Sequence, residues 1–212
     1  MFNKKPYLKH LERLRAGIYR DSRSGLFLDR NERCIPFSNE LIESLSKKLK
    51  DVPLSLYPEL GQFYKKLSVW LSFPEDQIYL TEGVSGAIKS LIETLTLPGK
   101  HNIIFPSPTF ALYPVYCKMF DVEAKMVSYT KGYDLEFSRL IQLIDDSTAI
   151  VFLPNPNMPI EGTVSINELE VLAEQCSKYE AILAIDEVYY PYGGPTAIEL
   201  ISRYDNIFVM RS

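Results

Sequence analysis

Two adjacent carboxylates, Asp186 and Glu187, directly follow the wholly apolar segment Ala181–Ile185. A carboxylate at the end of a buried strand is costly in free energy unless a cation pairs with it. A protonated pyridine nitrogen would be such a cation, and Tyr189 is near enough along the chain to reach the same ring. Two alternatives stay open: Asp186 caps the segment that follows, or the two carboxylates bind Mg²⁺.

A second candidate site is the segment T-E-G-V-S-G-A-I at Thr81–Ile88. The pattern predicts that a strand ends, the chain turns at Gly83, and a helix begins within three residues. The free backbone N–H groups of the first helical turn and the helix dipole favour a phosphate there, with Val84 and Ser85 at its centre. The alternative is an ordinary helix start that is capped by Thr81 or Ser85.

Two proline-containing loops carry aromatic and amide side chains. In Phe105–Tyr113, two prolines fix a loop that presents Phe110 and Tyr113 at the start of a helix, where a ring could stack on a planar ligand or pack in the core. In Leu153–Thr163, three prolines and two asparagines predict a rigid polar loop. Asparagine amides suit recognition of a ring oxygen, although Asn and Pro are also common in turns.

These loops need a framework that brings them together. From Ile78 onward, short apolar runs without in/out alternation are separated by amphipathic helical patterns, which predicts an α/β domain with a mainly parallel sheet covered on both faces. Ligands bind such sheets at the carboxyl ends of the strands. Strands are predicted at Ile78–Thr81, Asn102–Phe105, Glu123–Val127, Ala149–Leu153, Ala181–Asp186 and Asn206–Met210, and helices at Val84–Leu97, Phe110–Phe120, Leu135–Ile144, Ile166–Tyr179 and Thr196–Tyr204.

The N-terminal third has a different pattern. Helices are predicted near Asn39–Lys50 and Gly61–Leu71, with Pro58 and Pro74 as breaks. We therefore expect residues 1–77 to form an N-terminal arm with entry helices, and residues 78–212 to form the ligand-binding large domain.

Composition excludes several classes of protein. The net charge is −4 and basic residues do not cluster, which argues against a nucleic-acid platform. The longest apolar runs have buried-strand length, far short of the ~20 residues of a membrane helix. Residues 1–20 do not predict a secretory signal. The three cysteines, Cys34, Cys117 and Cys176, show no paired or metal-binding spacing, so we expect buried thiols in a reducing cytoplasm.

Taken together, the motifs resemble the fold-type I, class I/II aminotransferases, most closely the histidinol-phosphate aminotransferase-like branch of this pyridoxal-phosphate (PLP) family. The resemblance runs from about Leu28 to Ser212 and implies a three-layer α/β/α large domain. The motifs that carry it, in family order, are L-D-R-N-E (Leu28–Glu32), L-Y-P-E (Leu56–Glu59), T-E-G-V-S-G-A-I, P-S-P-T-F-A-L-Y, N-P-N-M-P-I-E-G, I-D-E-V-Y and N-I-F-V-M-R-S.

The resemblance implies a role for each matching cofactor residue. The Gly83–Val84–Ser85 turn would bind the PLP phosphate through backbone N–H groups, and Phe110 would stack on the pyridine ring. Asp186 would pair with the ring nitrogen and keep it protonated, so that the ring withdraws electrons from the substrate's α-carbon. Tyr189 would donate a hydrogen bond to the phenolic oxygen.

Other matches imply an assembly and a substrate entrance. Tyr57 resembles the tyrosine that reaches the phosphate of the partner subunit's cofactor, which implies a homodimer with shared sites. Asn31 and Glu32 match the arm that lines the substrate entrance. The expected reaction transfers an amino group between an amino acid or amino-phosphate and a 2-oxo acid, as in amino-acid biosynthesis.

Two departures from the family pattern affect these expectations. Relatives place an asparagine directly before the loop proline to bond the phenolic oxygen, whereas here that position is Met158 and the asparagine is Asn157. Relatives also continue past the R-S pair to a lysine that binds PLP covalently. The given sequence ends at Arg211–Ser212, so we expect this chain alone to be an inactive N-terminal portion.

Three other functions remain open at the level of sequence. A PLP-dependent decarboxylase of an amino-acid phosphate shares the large domain, and a non-catalytic α/β binding module could keep the phosphate turn alone. A Mg²⁺-dependent phosphotransferase using Asp186 and Glu187 lacks a P-loop lysine motif. The sequence does not identify the substrate.

Overall fold

The computed structural model describes residues 6–8, 11, 25, 31, 33 and 35–212. The contacts divide the chain into two compact units, with the boundary between Tyr79 and Leu80. Leu80–Ser212 form the first unit together with the start of the chain, and the segment that ends at Tyr79 forms the second.

The first unit is built around a five-stranded, wholly parallel sheet. Its strand order is β2-β1-β3-β4-β5. The prediction of an α/β domain with a mainly parallel sheet is therefore confirmed. The strands are β1 (Asn102–Ser107), β2 (Glu123–Ser128), β3 (Thr148–Pro154), β4 (Ile182–Asp186) and β5 (Ile207–Met210).

Successive residues of the central strands point into two separate cores. Ile103 and Phe105 of β1 lie in one cluster, and Ile104 lies in the other. In β3, Ile150 and Phe152 alternate with Val151 and Leu153 in the same way. Since side chains alternate across a strand, both faces of the sheet are covered, as three layers require.

Two of the strand predictions were wrong in part. Ile78–Thr81 is not a strand of the sheet, and Tyr79 is 79% exposed, so this short apolar run has no second buried face. Strand β2 lies at the edge of the sheet, where only Val127 is buried, so it is not covered on both faces.

Helices cover the sheet close to the predicted positions. Two predicted helices are shorter than expected. The helix predicted at Thr196–Tyr204 is a 3-10 turn at Ile198–Ser202, and the Ala197 N–H just before this turn is bonded to Glu187. The other is α5, which begins after Leu135 pairs with Tyr129. The helices of this unit are α3 (Gly83–Leu95), α4 (Leu112–Phe120), α5 (Phe137–Gln142) and α6 (Ile166–Lys178).

The second unit contains two helices at the predicted positions, α1 (Asn39–Leu49) and α2 (Gly61–Leu71). Ser38 caps α1 by accepting a hydrogen bond from the Leu41 N–H. A 3-10 turn at Glu75–Gln77 packs on α2. Neither helix buries a residue.

The expectations for membrane segments and thiols can be compared with the structure for part of the chain. Within the residues that the structure describes, no helix is long and apolar enough to cross a membrane. Cys117 and Cys176 are buried free thiols, and burial raises the pKa of each to about 12. Cys34 lies outside the described residues.

Candidate active site

The strand order fixes where a ligand would bind. The chain passes from β1 to β2 on one side and then returns to place β3 on the other side of β1. The loops that leave β1 and β3 therefore diverge, and a crevice opens between the carboxyl ends of the two strands. The proline-rich loops singled out in the sequence are these two loops.

Asn157 fastens the two loops to each other. Its side-chain N–H groups donate to the Pro108 carbonyl at 3.0 Å and to the Tyr129 hydroxyl oxygen at 2.7 Å. Its side-chain oxygen accepts from the Thr109 hydroxyl at 2.7 Å. The amide is 1% exposed. Both of its N–H groups are therefore used within the protein, while the adjacent Met158 is half-buried.

Asp186 ends β4 in a dry environment. The side chain is 3% exposed, and its two oxygens accept from the Tyr113 hydroxyl at 2.9 Å and from the Val188 N–H at 3.1 Å. Burial raises the pKa of this carboxyl, and the neighbouring Glu187 charge adds to the rise, while the two hydrogen bonds oppose it. No cationic side chain of the described residues pairs with Asp186. The site therefore holds a desolvated carboxylate that lacks a positive partner.

Glu187 has the partners that Asp186 lacks. Arg211 donates to one of its oxygens through two nitrogens at 3.0 and 2.8 Å, and the Thr196 hydroxyl donates at 2.9 Å. The Ala197 N–H bonds the other oxygen. Arg211 also lies 3.9 Å from the centre of the Tyr190 ring. Glu187 is therefore one member of a structural ion pair with Arg211, so its carboxylate is not available to Mg²⁺. The described residues contain no cluster of three metal-binding side chains.

Phe110 and Tyr113 take different positions. Phe110 is 42% exposed beside the crevice, whereas Tyr113 is fully buried between Phe105 and Phe152. The Phe110 and Tyr113 rings meet edge to face at 6.1 Å. Phe110 is thus the accessible ring of the two, whereas Tyr113 packs in the core.

The phosphate candidate at the start of α3 has the geometry that an anion requires. Gly83 adopts a φ of +66°, which favours glycine, and no side chain of the described residues caps the helix. The Thr81 hydroxyl donates to the Gly83 carbonyl, so the alternative of a helix capped by Thr81 or Ser85 is wrong. The first-turn N–H groups, including those of Val84 and Ser85, have no partner within the helix.

The elements of the carboxyl edge are joined to one another. The Asn155 N–H donates to the Asp186 carbonyl at 2.9 Å, and the Glu187 N–H donates to the Met210 carbonyl at 2.8 Å. A Cβ placed on Gly83 would lie 3.8 Å from the Ser212 Oγ. The ends of β3, β4 and β5 and the α3 turn thus follow one another along one edge.

Four candidate residues remain, and one of them belongs to the described part of the first unit. Tyr189 is half-buried just before the 3-10 turn Tyr190–Tyr192, with its ring centre 6.3 Å from that of Tyr192. Tyr57 and Asn31 belong to the second unit, and both are exposed. Glu32 lies outside the described residues.

Sequence reasoning missed two residues of this site, Tyr113 as the partner of Asp186 and Arg211 as the partner of Glu187. A weak signal existed for Arg211, because a second carboxylate at a strand end needs a cation. No sequence signal connects Tyr113 with Asp186, which is 73 residues away.

A parallel sheet in the order 2-1-3-4-5, covered on both faces and bearing polar loops at its carboxyl edge, defines a doubly wound α/β ligand-binding domain. The chain matches the profile of the family described as aminotransferase class I and II over residues 31–212. It belongs to this family.

Similar sequences carry the names of histidinol-phosphate aminotransferases. Histidinol-phosphate aminotransferase 2 of Nitrosococcus oceani is 27% identical over 206 residues, which cover 95% of this chain and 56% of that protein. The enzyme of Syntrophus aciditrophicus is 28% identical over 193 residues, covering 90% of this chain and 53% of that protein. The chain spans about half the length of the curated relatives it matches.

Solved structures share the fold. Cystalysin from Treponema denticola, which contains a pyridoxal 5'-phosphate cofactor, superposes with a TM-score of 0.73 at 20% identity, covering 82% of this chain and 48% of that one. The histidinol-phosphate aminotransferase of Clostridium acetobutylicum gives a TM-score of 0.69 at 20% identity, covering 81% of this chain and 50% of that one. The predicted fold, that of the PLP-dependent transferases, is confirmed.

Proposed function

We propose that this chain provides the cofactor-binding part of a PLP-dependent aminotransferase. The reaction would transfer an amino group between an amino acid or amino-phosphate and a 2-oxo acid. The observation that carries the proposal is the buried Asp186 carboxylate, with which no cation of the described residues pairs, on the same sheet edge as the uncapped start of α3.

The chemical groups of PLP fit three features of this edge. Its phosphate suits the free N–H groups and positive dipole end at the start of α3. Its ring nitrogen, when protonated, is the cation that Asp186 lacks. Its planar ring suits the exposed Phe110. Bound PLP would supply an electron sink for the substrate's α-carbon, and Asp186 would sustain it by holding the ring nitrogen protonated.

The phenolic oxygen of PLP fits this edge less directly. Asn157 would reach it only by releasing the Pro108 carbonyl or the Tyr129 hydroxyl. We therefore propose that Asn157 links the two loops by hydrogen bonds and stabilises their positions. We keep Tyr189 as the residue that donates a hydrogen bond to the phenolic oxygen.

We extend the proposal to the substrate and the assembly. The names of the similar sequences favour an amino-phosphate as the amino donor, with Asn31 and Glu32 at the entrance of the site. The high exposure of Tyr57, at 96%, leaves its hydroxyl accessible to the cofactor of a partner subunit, which favours a homodimer. A cytoplasmic location accords with the free buried thiols.

The test is a binding titration of the protein with PLP and, in parallel, with pyridoxal, which has the same ring but no phosphate. Saturable binding with a clear preference for PLP is expected, because the start of α3 should contribute only when a phosphate is present. Added inorganic phosphate should compete with PLP. If PLP does not saturate the protein, or binds no better than pyridoxal, the proposed function is wrong.

A further inference from the structure

We propose that Tyr113 is a positioning residue that orients Asp186 toward the ring nitrogen of a bound cofactor and supports the Phe110 ring from behind. The inference rests on the proposed function and adds to it a residue that contacts neither the cofactor nor the substrate. Tyr113 acts through the two side chains that do.

The first argument is the hydrogen bond to the carboxylate. The Tyr113 hydroxyl donates to Asp186 Oδ2 at 2.9 Å, while the Val188 N–H donates to Oδ1 at 3.1 Å. One donor on each oxygen fixes the plane of the carboxylate, and an ionised carboxylate has further lone pairs for a third donor. Tyr113 thus removes the rotational freedom of Asp186 and leaves room for a ring N–H.

Tyr113 also affects the charge of Asp186. The groups that face Asp186 are Tyr113 from α4 and Glu187 beside it on the chain, and the charge of Glu187 is paired with Arg211. Burial and Glu187 raise the pKa of Asp186, whereas the bond from Tyr113 lowers it. Burial likewise raises the pKa of Tyr113 well above its usual range, so its proton stays on the hydroxyl and is donated. Tyr113 therefore favours the ionised form of Asp186.

The Tyr113 ring is enclosed by other aromatic rings. The Tyr113 ring is 0% exposed and packs against Phe105 at 5.5 Å and Phe152 at 5.0 Å, on two neighbouring strands. Its ring also meets the exposed Phe110 edge to face. One fully buried side chain therefore contacts both Asp186, the proposed charged partner of the cofactor ring, and Phe110, its proposed stacking partner. A tyrosine that served packing alone would need no hydroxyl at this position.

The experiment compares two ligands, PLP and its analogue in which carbon replaces the ring nitrogen. The ratio of their dissociation constants reports the contribution of the ring nitrogen alone. It is measured for the wild-type chain, for Tyr113→Phe and for Tyr116→Phe, a half-buried tyrosine on the same helix that serves as the matched control. The preference for PLP should fall about tenfold in Tyr113→Phe, the usual effect of losing one hydrogen bond to a charged group. It should not change in Tyr116→Phe.

The pH dependence of the preference for PLP provides a second measurement, which a loss of packing would not change. In the wild-type chain the preference for PLP is lost as the pH falls through the pKa of Asp186. Tyr113→Phe removes a bond that lowers this pKa, so the acid limb should shift to higher pH. Replacing Tyr113 by 3-fluorotyrosine keeps the ring and makes the hydroxyl a stronger donor, so the limb should shift to lower pH.

The outcomes separate the two proposals. A wild-type chain that does not prefer PLP over the analogue contradicts the pairing of Asp186 with the ring nitrogen, and the proposed function fails with it. If the wild-type chain has the preference, and Tyr113→Phe and the fluorotyrosine variant keep both its size and its acid limb, the role of Tyr113 is overturned while the proposed function stands. Should Tyr113→Phe fail to fold, the fluorotyrosine variant decides alone.

Discussion

At the scale of the residue, the most informative contrast is between two neighbours of the same charge. Asp186 and Glu187 are both buried at the end of β4, but within the described part of the chain a cation, Arg211, pairs with Glu187 and none pairs with Asp186. A buried carboxylate without a cation lowers the stability of the free protein and creates affinity for a positive ligand. The two residues should therefore respond to neutralisation in opposite ways.

Asp186→Asn is expected to weaken PLP binding roughly 10- to 100-fold, the range for losing a hydrogen bond to a charged group together with the charge. The same variant should melt at a higher temperature than the wild-type chain when no ligand is present. Because burial raises the pKa of Asp186 in the folded chain, the free protein loses stability as the pH rises from the unfolded value through the folded one. Neutral asparagine removes this loss. Fluorescence titration and thermal melts at several pH values measure both effects, with exposed Asp146→Asn as the control.

Glu187→Gln should instead lower the stability of the free protein. It leaves the Arg211 charge without its partner, and we expect a loss of about 3 kcal/mol in the free energy of unfolding, as for other buried pairs that lose one member. The control is Glu170→Gln, which breaks the more exposed pair between Glu170 and Arg203 and should cost much less stability. Urea unfolding of both variants measures the difference. Equal losses of stability in the two variants would contradict a stabilising ion pair between Glu187 and Arg211.

At the scale of the element, the start of α3 combines a left-handed backbone conformation at Gly83 with an uncapped helix end. Gly83 has a φ of +66°, and a Cβ there would meet only the Ser212 Oγ at an ordinary contact distance of 3.8 Å. The need for glycine is therefore conformational and not a matter of space. Since the first-turn N–H groups are fixed by this turn, a change of its backbone should alter phosphate binding.

Gly83→Ala is expected to cost about 1–2 kcal/mol in stability, the penalty of a left-handed conformation for a residue with a Cβ. It should also reduce the preference for PLP over pyridoxal roughly fivefold, which corresponds to the contribution of a helix end. Gly99→Ala is the matched control, because Gly99 has a φ of +67° and open space around its Cβ position. It should lose the same stability and keep the full preference. An equal preference in all three proteins would contradict a phosphate site at α3.

At the scale of the whole molecule, the two units differ in how they bury apolar surface. The first unit has two cores, one on each face of its sheet. In the second unit, large apolar side chains remain exposed, among them Leu54 at 76%, Leu56 at 67% and Trp70 at 70%. Exposed apolar patches of this kind mark surfaces that associate with other protein, which favours the proposed homodimer.

The protein is therefore expected to sediment as a dimer. Tyr57→Phe should leave the dimer intact and weaken PLP binding by about fivefold to tenfold, since it removes one hydrogen bond to a phosphate. Tyr79→Phe, on another exposed tyrosine of the same unit, should change neither property. Sedimentation equilibrium and PLP titration on the same samples measure both. A monomer at micromolar concentration would contradict the shared site.

Sequence periodicity was sufficient for the framework. Five of the six predicted strands and the boundaries of α1, α2 and α6 agree closely with the structure, because apolar runs and caps are local properties. The position proposed for the site follows from the same framework, since ligands bind open parallel sheets at the carboxyl ends of their strands. Ile78–Thr81 was mistaken for a strand because pairing depends on a neighbouring strand that local pattern does not reveal.

Tertiary structure alone decided how the two carboxylates differ. The sequence shows Asp186 and Glu187 side by side with the same charge. Only the folded chain brings Arg211 to Glu187 across 24 residues and Tyr113 to Asp186 across 73. It likewise brings Asn157 within hydrogen-bonding distance of Pro108 and Tyr129, so the displaced asparagine links these loops. The pKa of a buried group depends on which donors and charges surround it in space, and a sequence pattern does not specify those neighbours.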